Sequence, residues 1–172
     1  MRAFIAIDVP KDIAESIAKV QPELPQDVIK PVDQSDMHLT LRFLGNEVKD
    51  EQVPNLKEII SSIKFEPFTI KCKGVGVFPN PHYIRVVWAG IDSGGKLEEI
   101  NKELNEKIQE FGFDNEPFTS HLTIARVRRR VDLNDFLSKH KDDVFGEFAV
   151  NQGAIKLKRS QIVPGRHIYT NL

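Results

Sequence analysis

The spacing of apolar side chains changes several times along the chain, and each change marks an element. Residues 2–9 (RAFIAIDV) are almost continuously apolar, as a buried strand is, and Pro10 closes them. From 11 to 20 the apolar positions recur at Ile13, Ile17 and Val20, a helical spacing that the stretch QPELPQ breaks. A short strand near 28–32 leads to a stronger one over 37–45 (MHLTLRFLG), stopped by Gly45. Residues 50–63 return to helical spacing with Asp50 as the cap. Two strand runs, 66–78 and 82–91, flank FPNPHY and predict a long hairpin. The clearest amphipathic helix covers 94–111, with Leu97, Ile100, Leu104, Ile108 and Phe111 on one face. A strand at 118–127 follows, then a short helix near 132–140 beginning at Asp132, and strands at 145–150, 153–160 and 166–171.

Two sections of the chain thus run strand, helix, then a strand that opens on His-Leu-Thr: HLTL at 38–41 and HLTI at 121–124. This is weak evidence of an internal duplication, since only the HLT core is visibly shared. It predicts one unit over residues 1–172 of the α+β class: two mainly antiparallel sheets facing each other, with helices outside.

In a strand, alternation sends His38 and Thr40 to one face and Leu39 and Leu41 to the other. His121 and Thr123 repeat the arrangement against Leu122 and Ile124. The aliphatic side chains suit a core, which leaves an imidazole and a hydroxyl facing a wetter surface on each strand. If the two lobes pack symmetrically, four polar groups converge. Imidazole titrates near ~6.5, so one of a pair can accept a proton while the other gives one. Threonine hydroxyls donate to anionic oxygens. A phosphodiester needs that set: a base for water, an acid for the departing alkoxide, and donors for the non-bridging oxygens. Arg126, five residues after His121, adds a cation with paired donors suited to phosphate. The scheme requires no metal, and two histidines without a nearby acidic partner make an incomplete zinc set.

Composition narrows the setting. Of the 172 residues, 121–172 carry ten Lys or Arg against five Asp or Glu, and the rest carry fourteen against twenty. A basic third in a chain of formal charge −1 points to a local anionic ligand or to a solvated basic face. Cys72, the only cysteine, lies on a core face by alternation and excludes an internal disulfide, which fits a reducing, cytoplasmic setting. No apolar run approaches the ~20 residues of a membrane span.

On these motifs the chain resembles the two-histidine phosphoesterase superfamily, whose signature H-x-T/S-x occurs twice. Within it, the chain is similar to the bacterial and archaeal RNA 2′,3′-cyclic phosphodiesterases, historically called 2′-5′ RNA ligases. RAFIAIDVP resembles the opening strand, MHLTLRFLGN the first motif, GVGVFPNPHYIRVVWAGI the middle hairpin, EPFTSHLTIARV the second motif and IKLKRSQIVPGRHIYTNL the closing strands. Two positions depart: Ser120 stands where proline commonly precedes the second histidine, and VIKPV lacks a tryptophan often found ahead of the first motif. The resemblance implies a bilobal fold with a V-shaped cleft and pseudo-twofold symmetry. It implies His38 and His121 as the catalytic histidines, with Thr40, Thr123 and Arg126 on phosphate and no cofactor. The implied substrates are RNA ends or nucleotides bearing a 2′,3′-cyclic phosphate, opened to a 2′-phosphomonoester by a monomer. The resemblance also points to His121 as base and His38 as acid. Some relatives join tRNA halves through a 2′-5′ bond. A nucleotide- or RNA-binding module without turnover is the competing class, and such a module has no need of an acid–base pair.

Other residues carry smaller expectations. Arg42 shares the face of His38 and Thr40 by strict alternation, which makes it a candidate substrate contact at the cleft edge or a surface arginine. Phe4 reads as core rather than as a base-stacking group, and Trp88 reads as core. His82 and His140 read as exposed. Arg128, Arg129 and Arg130 either steer an RNA backbone or form a solvated turn. His167 and Tyr169 share a face of the last strand, and the sequence does not place Tyr169 further.

Overall fold

The computed structural model describes all 172 residues. Nine strands and four α-helices follow the predicted order. The strands are β1 (Arg2–Asp8), β2 (Ile29–Pro31), β3 (His38–Gly45), β4 (Phe68–Asn80), β5 (Tyr83–Asp92), β6 (His121–Val127), β7 (Val144–Val150), β8 (Ile155–Val163) and β9 (Arg166–Asn171). The helices are α1 (Lys11–Ala18), α2 (Val53–Ser62), α3 (Lys96–Glu110) and α4 (Asn134–His140). Asp50 is not the cap expected of it. It opens a short 3₁₀ turn ahead of α2, whose preceding residue Lys49 donates its backbone N–H to Gln52 Oε1 at 2.9 Å. No helix is long and apolar enough to cross a membrane.

The strands form two antiparallel sheets, ordered β3-β1-β8-β9 and β2-β6-β5-β4-β7. Each sheet buries one face under helices. Ile5, Ile7, Leu39, Leu41 and Leu157 of the first sheet pack on Leu56 of α2 and on Leu97, Ile100, Leu104 and Ile108 of α3. Cys72, Val87, Leu122 and Ile124 of the second pack on Ile13 and Ile17 of α1 and Phe136 of α4. Burial pushes the Cys72 thiol up to about 12, so it behaves as a small apolar side chain.

Two of the four helices are exchanged between the sheets. α1 leaves β1 of the first sheet and covers the second; α3 leaves β5 of the second and covers the first. Gly146 permits the α1 contact, since a Cβ there would stand 2.4 Å from Ile13 Cδ1. The first sheet also curls. β9 lies three places from β3, yet its Tyr169 ring stands 4.8 Å from that of His38.

Candidate active site

The two motif strands sit in matching registers. Across β1, Asp8 faces His38 and Ala6 faces Thr40; across β5, Gly90 faces His121 and Trp88 faces Thr123. After each threonine the pairing slips by one residue. Ile5 pairs with Arg42 and Val87 pairs with Ala125, which leaves Leu41 and Ile124 as the extra residues of two β-bulges. The repeat that the HLT cores hinted at is therefore repeated in backbone geometry.

Each bulge redirects the residues beyond it. In β6, Ile124 and Ala125 are both buried, and Arg126 turns to the side of His121 and Thr123. Strict alternation would have put it on the opposite side. In β3 the same slip buries Leu41 and Arg42 together and turns Phe43 toward the cleft, where the Arg2 guanidinium lies 4.4 Å above its ring. Arg42 therefore does not share the face of His38 and Thr40, and it is not a surface arginine. It is 3% exposed, donating to Asn105 Oδ1 at 2.8 Å and to the Asp114 carbonyl, with Glu116 Oε2 at 3.7 Å. There it ties the first motif strand to the loop that delivers the second.

Both bulges are pinned by buried amides from the helical layer. Asn101 on α3 donates its side-chain N–H to the Leu41 carbonyl at 2.8 Å. Gln21, just beyond α1, donates to the Ile124 carbonyl at 2.9 Å and to the Val32 carbonyl at 2.8 Å.

The histidines meet different surroundings. His121 Nδ1 hydrogen-bonds the Thr119 carbonyl at 2.7 Å, which leaves Nε2 as the ring nitrogen outside that bond, and Phe78 contacts its ring edge-on at 4.9 Å. Phe78 also lies 5.4 Å from Trp88. Trp88 is on the cleft side beside Thr123 rather than in the core, its ring lying where any Cβ at Gly76 would collide with it. His38 stands against Tyr169 and, at 5.7 Å, Phe4. Phe4 is buried as expected, though as the wall behind His38 and not in either aliphatic core.

Burial lowers the His38 pKa to about 4, and the nearby Lys158 charge adds to this; Asp8 and a hydrogen bond to the Asp36 backbone oppose them. Lys158 is 5% exposed, with its ammonium 2.7 Å from Asp8 Oδ1 and 2.8 Å from Asn171 Oδ1. Burial also raises the Tyr169 phenol, while the Arg126 charge acts to lower it, so a group of the second sheet is felt at the first.

Sequence reasoning missed Lys158, Asp8, Gln21, Asn101 and Phe78. Only Phe78 carried a signal, as an aromatic at the end of the long hairpin strand. His140 is 4% exposed rather than at the surface, hydrogen-bonded to Asp143 with Glu23 Oε2 at 3.0 Å from its Nε2. His82 is exposed, and so are Arg128, Arg129 and Arg130. No group of three or more His, Cys, Asp or Glu side chains is placed to hold a metal ion.

The chain is similar to proteins of one kind. The family described as LigT like Phosphoesterase matches residues 7–88. An RNA 2′,3′-cyclic phosphodiesterase of Methanocaldococcus jannaschii is 42% identical over 98% of this chain and 96% of its own. One of Archaeoglobus fulgidus is 37% identical over 100% and 98%. Among solved structures, Escherichia coli LigT complexed with 3′-AMP superimposes with a TM-score of 0.81 at 29% identity, covering 99% of this chain and 94% of that one. With identity at this level along its whole length, the chain belongs to the LigT-like phosphoesterase family of the two-histidine superfamily.

Proposed function

We propose that this chain hydrolyses the 2′,3′-cyclic phosphate of RNA ends or nucleotides to a 2′-phosphomonoester, using His38 and His121 as its acid–base pair. The observation that carries this is the matched register of the two motif strands, with a bulge that brings Arg126 to the side of His121 and Thr123. His121, held through Nδ1, accepts a proton from water at Nε2 as a P–O bond forms. The P–O3′ bond opposite breaks, and His38 gives its proton to O3′. Thr40, Thr123 and Arg126 hold the non-bridging oxygens as their charge grows. Both motifs lie in one chain, so a monomer suffices, and a reducing cytoplasm suits its single buried thiol. Joining tRNA halves would be the same exchange with a 5′-hydroxyl in place of water: it attacks phosphorus, the P–O3′ bond breaks, and a 2′-5′ diester forms.

The surroundings of His38 favour a second reading of the roles. Burial and Lys158 lower its pKa to about 4, so it is uncharged near neutral pH, as a base must be. In the first reading the negative charge of the bound phosphate favours the imidazolium, and His38 takes up a proton from solvent as substrate binds; in the second, His38 activates water and His121 protonates the leaving oxygen.

Incubation with adenosine 2′,3′-cyclic phosphate in EDTA, followed by phosphorus NMR, tests the reaction. The expected product is adenosine 2′-monophosphate. A 3′-monophosphate, or no product, contradicts the proposal.

A further inference from the structure

The β4–β5 hairpin carries a second set of ligand-like groups, toward its turn and past the Phe78 that touches His121. Phe78 pairs with Val86 and Pro79 with Ile84, so Arg85 is the extra residue of a bulge in β5. Beyond it, Tyr83 is 52% exposed, and the Arg85 guanidinium lies 4.8 Å from the centre of its ring. Val86, next to Arg85, pairs with Arg126 on the neighbouring strand. An exposed aromatic, a stacked arginine and the arginine of the second motif thus follow one another along the same strand pair.

The charges are unspent. None of the eight ion pairs in the molecule includes Arg85 or Arg126. The turn past Tyr83 borders a hollow of about 250 Å³ that also touches Arg130. A flat aromatic beside unpaired guanidinium groups is how proteins hold single-stranded nucleic acid without reading its sequence: a base stacks on the ring and a phosphate meets the cation. Five residues separate Trp88, level with Thr123, from Tyr83, which at ~3.3 Å per strand residue is about 16 Å. A cyclic phosphate ends its RNA, so only nucleotides on its 5′ side can reach so far.

We propose that Tyr83 and Arg85 form a binding subsite for the RNA upstream of the cyclic phosphate, with a base on Tyr83 and an internucleotide phosphate on Arg85. The subsite makes an oligonucleotide end a better substrate than a cyclic mononucleotide. It rests on the cyclic phosphodiesterase reading of the cleft.

The test compares adenosine 2′,3′-cyclic phosphate with a short oligoadenylate ending in the same group, using wild type, Tyr83→Phe and the double variant Tyr83→Ala, Arg85→Ala. Wild type should show the lower KM on the oligonucleotide. The double variant should raise that KM about fivefold or more, the worth of one stacked base, and flatten its salt dependence. Tyr83→Phe keeps the stack and should behave as wild type. Activity on the mononucleotide should be the same in all three. An oligonucleotide KM that the double variant leaves unchanged overturns the subsite, as does a wild type without preference or an equal loss on both substrates. Failure of wild type to hydrolyse the mononucleotide strikes the underlying reading instead.

Discussion

Gln21 donates its buried side-chain amide to the carbonyl of Ile124 at 2.9 Å, and Ile124 is the bulge residue that turns Arg126 toward the cleft. A side chain of the helical layer thereby supports the Arg126 side of the cleft, the proposed phosphate side, without touching it. Gln21→Met removes the donor at similar volume and leaves its contacts to the Ile124 and Val32 carbonyls unmade, at a cost of about 1–3 kcal/mol. Because the Val32 N–H still reaches the Ile124 carbonyl at 2.9 Å, the fold should survive. Affinity for inorganic phosphate should fall with it. Unchanged phosphate affinity, measured by calorimetry below the melting transition, would show that the bulge holds without Gln21.

Arg42 makes the opposite prediction. Its guanidinium is spent on Asn105, Asp114 and Glu116, so Arg42→Met should cost about 2–4 kcal/mol of stability by leaving the Asn105 and Asp114 oxygens without their donor, while Glu116 keeps the Phe43 N–H. Phosphate affinity of the folded protein should stay at the wild-type value. A lost affinity with an unchanged melting temperature would return Arg42 to the cleft.

These two residues show what the sequence can and cannot yield. Periodicity exposed nearly every element, because each sheet has one buried face and each helix one apolar stripe. Alternation also oriented the HLT cores, which lie ahead of the bulges. Past Leu41 and Ile124 the rule inverts, so it misplaced Arg42 and could not by itself put Arg126 beside His121. A single extra residue in a ladder leaves no mark on composition. Lys158, Tyr169 and His140 were hidden for a different reason. Their partners are Asp8, His38 and Glu23, more than a hundred residues away, and only tertiary packing joins them.

The buried Lys158 gives a pH prediction. Folding lowers His38 from ~6.5 to about 4, so the folded state disfavours its protonated form. The stability this contributes is fully present above ~6.5 and is lost as pH falls through that window towards 4. Lys158→Met removes one of the two causes, leaving burial, while the freed Asp8 carboxylate pulls the other way. The His38 resonance in proton NMR should then titrate above about 4, and the acid-side decline in stability should become shallower. A His38 titration unmoved in Lys158→Met would mean that burial alone sets it.

The roles of the histidines separate through the leaving group. A substrate that expels nitrophenolate needs no acid, since that anion departs without a proton. In the first reading His38→Ala should recover most of its lost rate on such a diester, while His121→Ala should not. The reverse pattern would make His38 the base, as its lowered pKa favours. Recovery in neither would place the acid elsewhere.

The central claim is that two histidines, one from each sheet, act as a single acid–base unit. Single-turnover hydrolysis of adenosine 2′,3′-cyclic phosphate tests it most directly, with wild type, His38→Ala, His121→Ala and the double variant each checked for fold by circular dichroism. Each single variant should lose about 10²–10⁴ in rate, and the double variant little more than the worse of the two, because either loss disables the pair. A folded single variant that turns over at close to the wild-type rate would contradict the account.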